Sequence, residues 1–178
     1  FLGATWEPYV CIVMELLPHG GLDTVLRDPT ILPSMSWNDH KLKMALDVAR
    51  ALAHCPSLDP LVIHRDVKPG NIMLTEDGGV KVLDFGLVRV EGVDDLTRTD
   101  QIVGTAAFMA PEVVQGGGLD VCVDVYALGV TAYIALSVTE PFEGNTNLET
   151  LSKHHRDAPS AIGTQVSGTA FSVEAHVF

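Results

Sequence analysis

An α+β fold, mainly helical with a few short strands, is what this sequence predicts, and three observations carry it. Residues 37–54 place Leu42, Ala45, Leu46, Ala49, Leu52 and Ala53 at helical spacing, an amphipathic pattern. Residues 120–137 are apolar almost all round, which predicts a helix buried at the centre of the domain. Between them lie short β-branched runs bounded by turn residues. The 178 residues suit one domain or part of a larger one. An apolar content of 47% is enough for a core.

Taken in order, residues 9–14 (YVCIVM) read as a short buried strand. Pro18-His19-Gly20-Gly21 reads as a loop. Residues 22–27 make a short helix stopped by Asp28-Pro29, and a second loop holds Pro33 and Ser34. Ser36 with Asp39 three residues later resembles a capping box at the start of the 37–54 helix, which Pro56 breaks. Strands are expected at 61–64, 72–75 and 80–83. Glu76-Asp77-Gly78-Gly79 forms the hairpin turn between the last two. Residues 84–112 hold no period, and a loop that long is usually functional. Residues 148–156 form a short polar helix. From 158 to 178 the chain runs through small and β-branched residues without period, and this tail is expected to be poorly ordered.

The charge narrows the partners. Lys and Arg number 11 and Asp and Glu 23, a net charge of −12. Such a chain repels phosphate backbones and anionic membrane surfaces, so neither nucleic acid nor membrane is expected to touch the visible segment. Its longest uncharged apolar stretch, 125–139, falls short of the roughly 20 residues that span a bilayer. The chain opens on Phe1 rather than Met, so a fragment of a longer parent is expected, with a membrane anchor elsewhere in that parent left open. Cys11, Cys55 and Cys122 are odd in number and far apart. They fit no metal spacing or disulfide framework and suit a reducing, cytoplasmic compartment.

Chemistry concentrates in His64-Arg65-Asp66-Val67-Lys68-Pro69-Gly70-Asn71, with Asp84-Phe85-Gly86 following. Phosphoryl transfer from a nucleotide needs a carboxylate to orient the attacking hydroxyl, metal ions to neutralise phosphate oxygens, and a cation at the transferred group. Asp66, Asn71, Asp84 and Lys68 supply those groups. Asn71 and Asp84 offer the oxygen ligands that Mg²⁺ prefers.

These residues resemble the protein kinase family. Its H-R-D-x-K-x-x-N and D-F-G patterns stand intact at 64–71 and 84–86. Residues 104–112 (GTAAFMAPE) look like its substrate-docking loop, and residues 124–129 (DVYALG) resemble the start of its central helix. The resemblance implies a kinase-like fold, mainly the helical C-terminal lobe, over a catalytic domain at 1–157. It implies Asp66 as catalytic base, Lys68 as the γ-phosphate contact, and Asn71 and Asp84 as Mg²⁺ ligands. Met14 resembles the residue guarding the back of the adenine pocket. Glu15 and Leu17 would offer backbone hydrogen bonds to ATP, and Met73 would floor the pocket. Asp124 resembles the buried Asp that bonds the catalytic-loop backbone, with His64 and Phe85 as core residues. Thr105 would bridge Asp66 and Lys68. Thr97 and Thr99 are the expected phosphorylation sites, with Arg65 as phosphate anchor and Arg89 assisting.

Lys68 and Thr105 match the Ser/Thr branch, so the implied substrates are protein Ser and Thr hydroxyls, and the style is that of bacterial kinases of eukaryotic type. The family's Gly-rich loop, its strand Lys and the helix Glu that pairs with it are not in the sequence, and Lys81 lies on the wrong strand. Glu112 has no later Arg beyond Arg156 to pair with, and is expected to be a buried unpaired carboxylate. This chain alone is therefore expected to transfer no phosphate. The alternative is a truncated kinase-like binding module without catalysis. Taken singly, Asp66 is a turn former, His64 a core histidine, Met14 and Met73 core residues, and Asp94, Asp95 and Asp157 solvated surface. His154-His155 invites a metal reading, but adjacent histidines on a helix face different ways.

Overall fold

The computed structural model describes residues 2–36, 40–58, 62–84, 106–117 and 120–162. Its elements are strands β1 (Gly3–Thr5) and β2 (Cys11–Val13), helices α1 (Leu22–Arg27) and α2 (Leu42–His54), strands β3 (Ile72–Leu74) and β4 (Val80–Val82), and helices α3 (Pro111–Val114), α4 (Cys122–Ser137) and α5 (Asn147–Arg156). Among the described residues the strands form two separate antiparallel pairs, β1 with β2 and β3 with β4. The α+β class expected from the sequence stands.

One core joins the helices to the second hairpin. Leu22 and Leu26 of α1 meet Met44, Val48 and Leu52 of α2, Ile72 of β3, and Ala127 and Ala135 of α4. Residues 22, 26 and 44, 48, 52 recur every four positions, so each helix presents one apolar row. Helix α4 differs from the sequence expectation. It buries a stripe, Val123, Asp124, Ala127, Val130, Thr131 and Ala135, while Val125 stays 64% exposed. Its all-round apolarity therefore marks no second buried face among the described residues.

Two strand expectations need correction. The run at 9–14 is paired but not buried: β2 is exposed along its length, and Tyr9, Val10, Ile12 and Met14 all lie open. It pairs with β1, a three-residue strand with no sequence signal of its own, and no described helix covers the ribbon. The expected strand at 61–64 is not formed over 62–64, and Leu61 lies outside the described residues. The His64 amide goes to a side-chain carboxylate instead of a ladder. Helix α2 runs from Leu42 to His54, and the helical backbone already continues through His40 and Lys41, so the expected 37–54 helix stands wherever it is described. Trp37 and Asp39, and so the expected capping box, lie outside the described residues.

The 72–82 hairpin follows the reading closely. Ile72 faces Val82, Met73 faces Lys81, and Leu74 faces Val80. Gly78 takes a φ of +74°, which a side chain would resist, and its amide reaches the Thr75 carbonyl at 3.1 Å. The long segment 84–112 is not structureless throughout: a 3₁₀ turn at Ala106–Phe108 leads into α3, where Pro111 opens the helix. Helix α5 carries a cap that sequence reasoning missed. The Thr146 hydroxyl accepts from the Glu149 amide at 3.2 Å, and the Glu149 carboxylate accepts from the Asn145 amide at 2.8 Å. Thr-x-x-Glu was its legible signal.

Helix α4 ends on Val138, left-handed at φ 61°, with its amide on the Ile134 carbonyl at 2.8 Å. A β-branched residue pays about 1–2 kcal/mol for that conformation. Val138 is 45% exposed, so its burial contributes little. Val138→Gly is expected to stabilise the fold by about 1 kcal/mol and raise the melting midpoint by about 2–4 °C. Calorimetry of the two proteins checks it; an unchanged or lower midpoint would contradict the strain.

Candidate active site

The site is built on the turn between residue 64 and β3. Asp124, 5% exposed in the first turn of α4, grips this turn from below: its two carboxylate oxygens accept from the His64 and Arg65 amides, each at 2.7 Å. His64 is fully buried. Its Nε2 lies 2.9 Å from the Leu83 carbonyl, and its Nδ1 accepts from the Asp66 amide at 3.2 Å. The backbone is thus tied to α4, to the end of β4 and to itself. These ties hold Arg65 at φ 66°, a region costly for a non-glycine residue.

Above this base Asp66 turns its carboxylate to the surface. Lys68 Nζ donates to Asp66 Oδ2 at 2.7 Å, and Asn71 Nδ2 donates both to that oxygen and to the Asp66 carbonyl at 2.8 Å. The Asp66 and Lys68 side chains are 27% and 29% exposed, so the carboxylate is oriented yet open to solvent. Asn71 is buried at the foot of β3, and its carbonyl accepts from the Leu83 amide at 2.8 Å. That bond sets Asp84 beside Asn71 across the hairpin. Asp84 is exposed and, at φ 54°, is the second left-handed residue of the site. Non-glycine residues in this conformation cluster where surrounding structure over-determines them, and here both sit among the chemistry-bearing side chains.

The donors suit a hard cation. With the Asn71 amide nitrogen committed to Asp66, its remaining side-chain polar atom is the amide oxygen, and the exposed Asp84 follows Leu83, whose amide bonds the Asn71 carbonyl. Oxygen ligands of this kind, few in number, are what Mg²⁺ takes when substrate phosphates complete its shell.

A second group of residues gathers over β3. The Leu74 amide donates to the Gly20 carbonyl at 3.2 Å, and Gly21 bridges to Met73, so the loop after Leu17 lies against the hairpin. Leu17 is 8% exposed and Met73 half-buried, whereas Met14 is 53% exposed. Glu15 is exposed and its carboxylate pairs with Lys81, the residue facing Met73 in the register. Sequence reasoning set Lys81 aside; the hairpin register, legible from the Glu76–Gly79 turn, was the signal that puts it on the Met73 side.

Beside Asp66, Arg65, Phe108, Met109, Val113 and Ala127 help line a pocket of about 70 Å³. The Arg65 Nε is buried with no partner among the described residues. Glu112 is half-buried rather than buried, so solvent serves the carboxylate that was expected to lie unpaired in the interior. Phe85, Gly86, Arg89, Asp94, Asp95, Thr97, Thr99 and Thr105 lie outside the described residues.

The model of the protein kinase domain matches residues 4–174 of this sequence. The chain belongs to the protein kinase domain family. Its relatives include the serine/threonine-protein kinase drp72 of Corynebacterium efficiens, 36% identical over 161 residues, which cover 89% of this chain and 29% of that protein. The serine/threonine-protein kinase PknA of Mycobacterium tuberculosis is 39% identical over 150 residues, 83% of this chain and 33% of that protein. A serine/threonine-protein kinase/receptor of Acanthamoeba polyphaga mimivirus, putative by name, is 35% identical over 139 residues, 78% of this chain and 8% of that protein. This kinase chain therefore spans a third or less of these curated relatives. ATP and a divalent metal are the general requirements of the family. No described helix of this kinase chain is long and apolar enough to cross a membrane.

Proposed function

We propose that the protein carrying this chain transfers the γ-phosphoryl group of ATP to Ser and Thr hydroxyls of protein substrates. The observation that carries the reading is the Asp66 carboxylate, oriented by Lys68 and Asn71 on a turn that Asp124 pins. Asp66 accepts the proton of the attacking hydroxyl and aims its oxygen. Lys68, already 2.7 Å from that carboxylate, meets the charge on the transferred group. Asn71 and Asp84 would hold Mg²⁺, which would supply positive charge to the phosphate oxygens. Leu17 and Glu15 face adenine with their backbone, Met73 lies beneath it, and Met14 closes the back. The pocket beside Asp66, with Thr105 and Glu112 on its loop, receives the substrate peptide. A cytoplasmic setting suits ATP chemistry and the three free thiols.

Activation is assigned to Thr97 or Thr99. A phosphate there brings about −1.5 to −2 charges, and Arg65 is the anchor, its buried Nε lacking a described partner. In the full-length protein, Mg·ATP with labelled γ-phosphate and a generic basic protein should yield phosphoserine or phosphothreonine. A Thr97→Ala/Thr99→Ala double variant should lose most of that activity. Phosphotyrosine alone would overturn the Ser/Thr reading, and nucleotide binding without transfer would overturn catalysis and leave the binding-module alternative. Full activity in the double variant would remove the switch.

A further inference from the structure

The adjacent histidines of α5 are absorbed by nothing above, and each closes a different seam. His154 is 5% exposed. Its Nδ1 lies 2.6 Å from the Tyr126 hydroxyl of α4, and its ring packs on Phe142 with centroids 4.6 Å apart. Its Nε2 is buried with no partner among the described residues. His155 turns the other way, its Nδ1 2.9 Å from Nε2 of Gln115, just past α3. Helix α5 thus rests on α4 through one imidazole and on the end of the 106–115 segment through the next.

We propose that His154 forms a pH-responsive latch that seats α5 on α4 and on residues 106–115. Nδ1 of His154 meets the Tyr126 hydroxyl inside a buried seam. A proton on the His154 ring would place a charge inside this buried seam, away from water. His154 has little to compensate it. From α4 it faces Tyr126, whose hydroxyl is held protonated by burial and by the Glu112 carboxylate of α3, its pKa pushed up to about 12. The turn at Ala106–Phe108 offers no titratable group. Glu140 and Glu143 flank Phe142, and Glu143 engages Lys153 only through its carbonyl. On α5 itself Lys153, His155 and Arg156 are basic, while Glu149 in the first turn pairs with Lys153 and Asp157 stands at the C-cap.

The sign follows from burial, which lowers the His154 pKa below the ordinary histidine value. The open form then binds the proton more readily than the seated form. Seating is complete above about pH 6.5 and is lost as the pH falls from there toward the lowered value. The functional consequence rests on the reading of 104–112 as the substrate-docking loop, of which 106–112 is described: acid would loosen that part while leaving the 72–82 hairpin alone.

Amide hydrogen exchange of the full-length protein tests the latch without any phosphate transfer, so it stands or falls apart from the proposed activity. Between pH 7.5 and 5.5, after correction for intrinsic rates, peptides from 106–115 and 147–156 should open together, by up to about tenfold per pH unit below about 6.5. The 72–82 hairpin should show no such slope. His154→Gln keeps an acceptor for Tyr126 without a titration, and should remove most of the slope. Should that variant fail to fold, the His154 imidazole is followed by NMR in the unaltered protein, where it should titrate below about 6.5 in step with the Tyr126 ring signals. An ordinary His154 titration, or a slope in 147–156 equal to that of 72–82 or undiminished in His154→Gln, would overturn the latch.

Discussion

Asp66→Asn in the full-length protein is expected to lower turnover by about two to four orders of magnitude, the range for a positioned acid–base group. The carboxylate is the only part of the turn both fixed by two donors, Lys68 and Asn71, and open to solvent at 27% exposure. An amide of the same shape still accepts from Lys68 and Asn71 but takes no proton from a hydroxyl. The fold should notice little. The ion pair with Lys68 is itself more than a quarter exposed, where such pairs contribute about 0–1 kcal/mol. Turnover against a generic basic protein, read beside a melting curve, separates chemistry from folding. A folded Asp66→Asn protein with near-normal turnover would remove Asp66 from the role of base.

What could be read in the sequence depended on the range of the interactions. The 72–82 hairpin was legible because its register is set by its own turn, within a few residues. Helix α1 was read with its observed bounds because Asp28-Pro29 stops it locally. That Asp66, Lys68 and Asn71 meet was legible because they lie within five residues of one another. Other features depend on partners far along the chain. β1 has no pattern of its own and exists through β2, and residues 62–64 look like a strand until Asp124, 60 positions from His64, takes the amide. Exposure of 9–14 and of Val125 is likewise a matter of which surfaces meet, which an apolar pattern does not state. Lys81 and His154 were visible as residues but not as partners: the Glu15–Lys81 pair and the Tyr126–His154 bond each join segments that no local pattern connects.

Asp124→Ala is expected to be the most destabilising single change near the site, by roughly 2–6 kcal/mol, since each of two buried amides left without an acceptor costs about 1–3 kcal/mol. The His64 and Arg65 amides both end on this carboxylate at 2.7 Å, and the turn has no strand partner to offer in its place. Asp124→Asn removes one acceptor and sets an amide donor against one of the two N–H groups, so about 2–4 kcal/mol is expected. The catalytic effect should outlast the loss of stability. At a temperature where Asp124→Asn is still folded, a released turn lets Arg65 leave its left-handed conformation and carries Asp66 with it. A misplacement of about 1 Å at a reacting group costs on the order of a hundredfold in rate. Denaturant unfolding of both variants, with turnover measured well below each transition, reads the two effects separately. Unfolding midpoints within error of the unaltered protein would mean that Asp124 does not hold the turn. A destabilised but fully active Asp124→Asn protein would mean that Asp66 keeps its place without that grip.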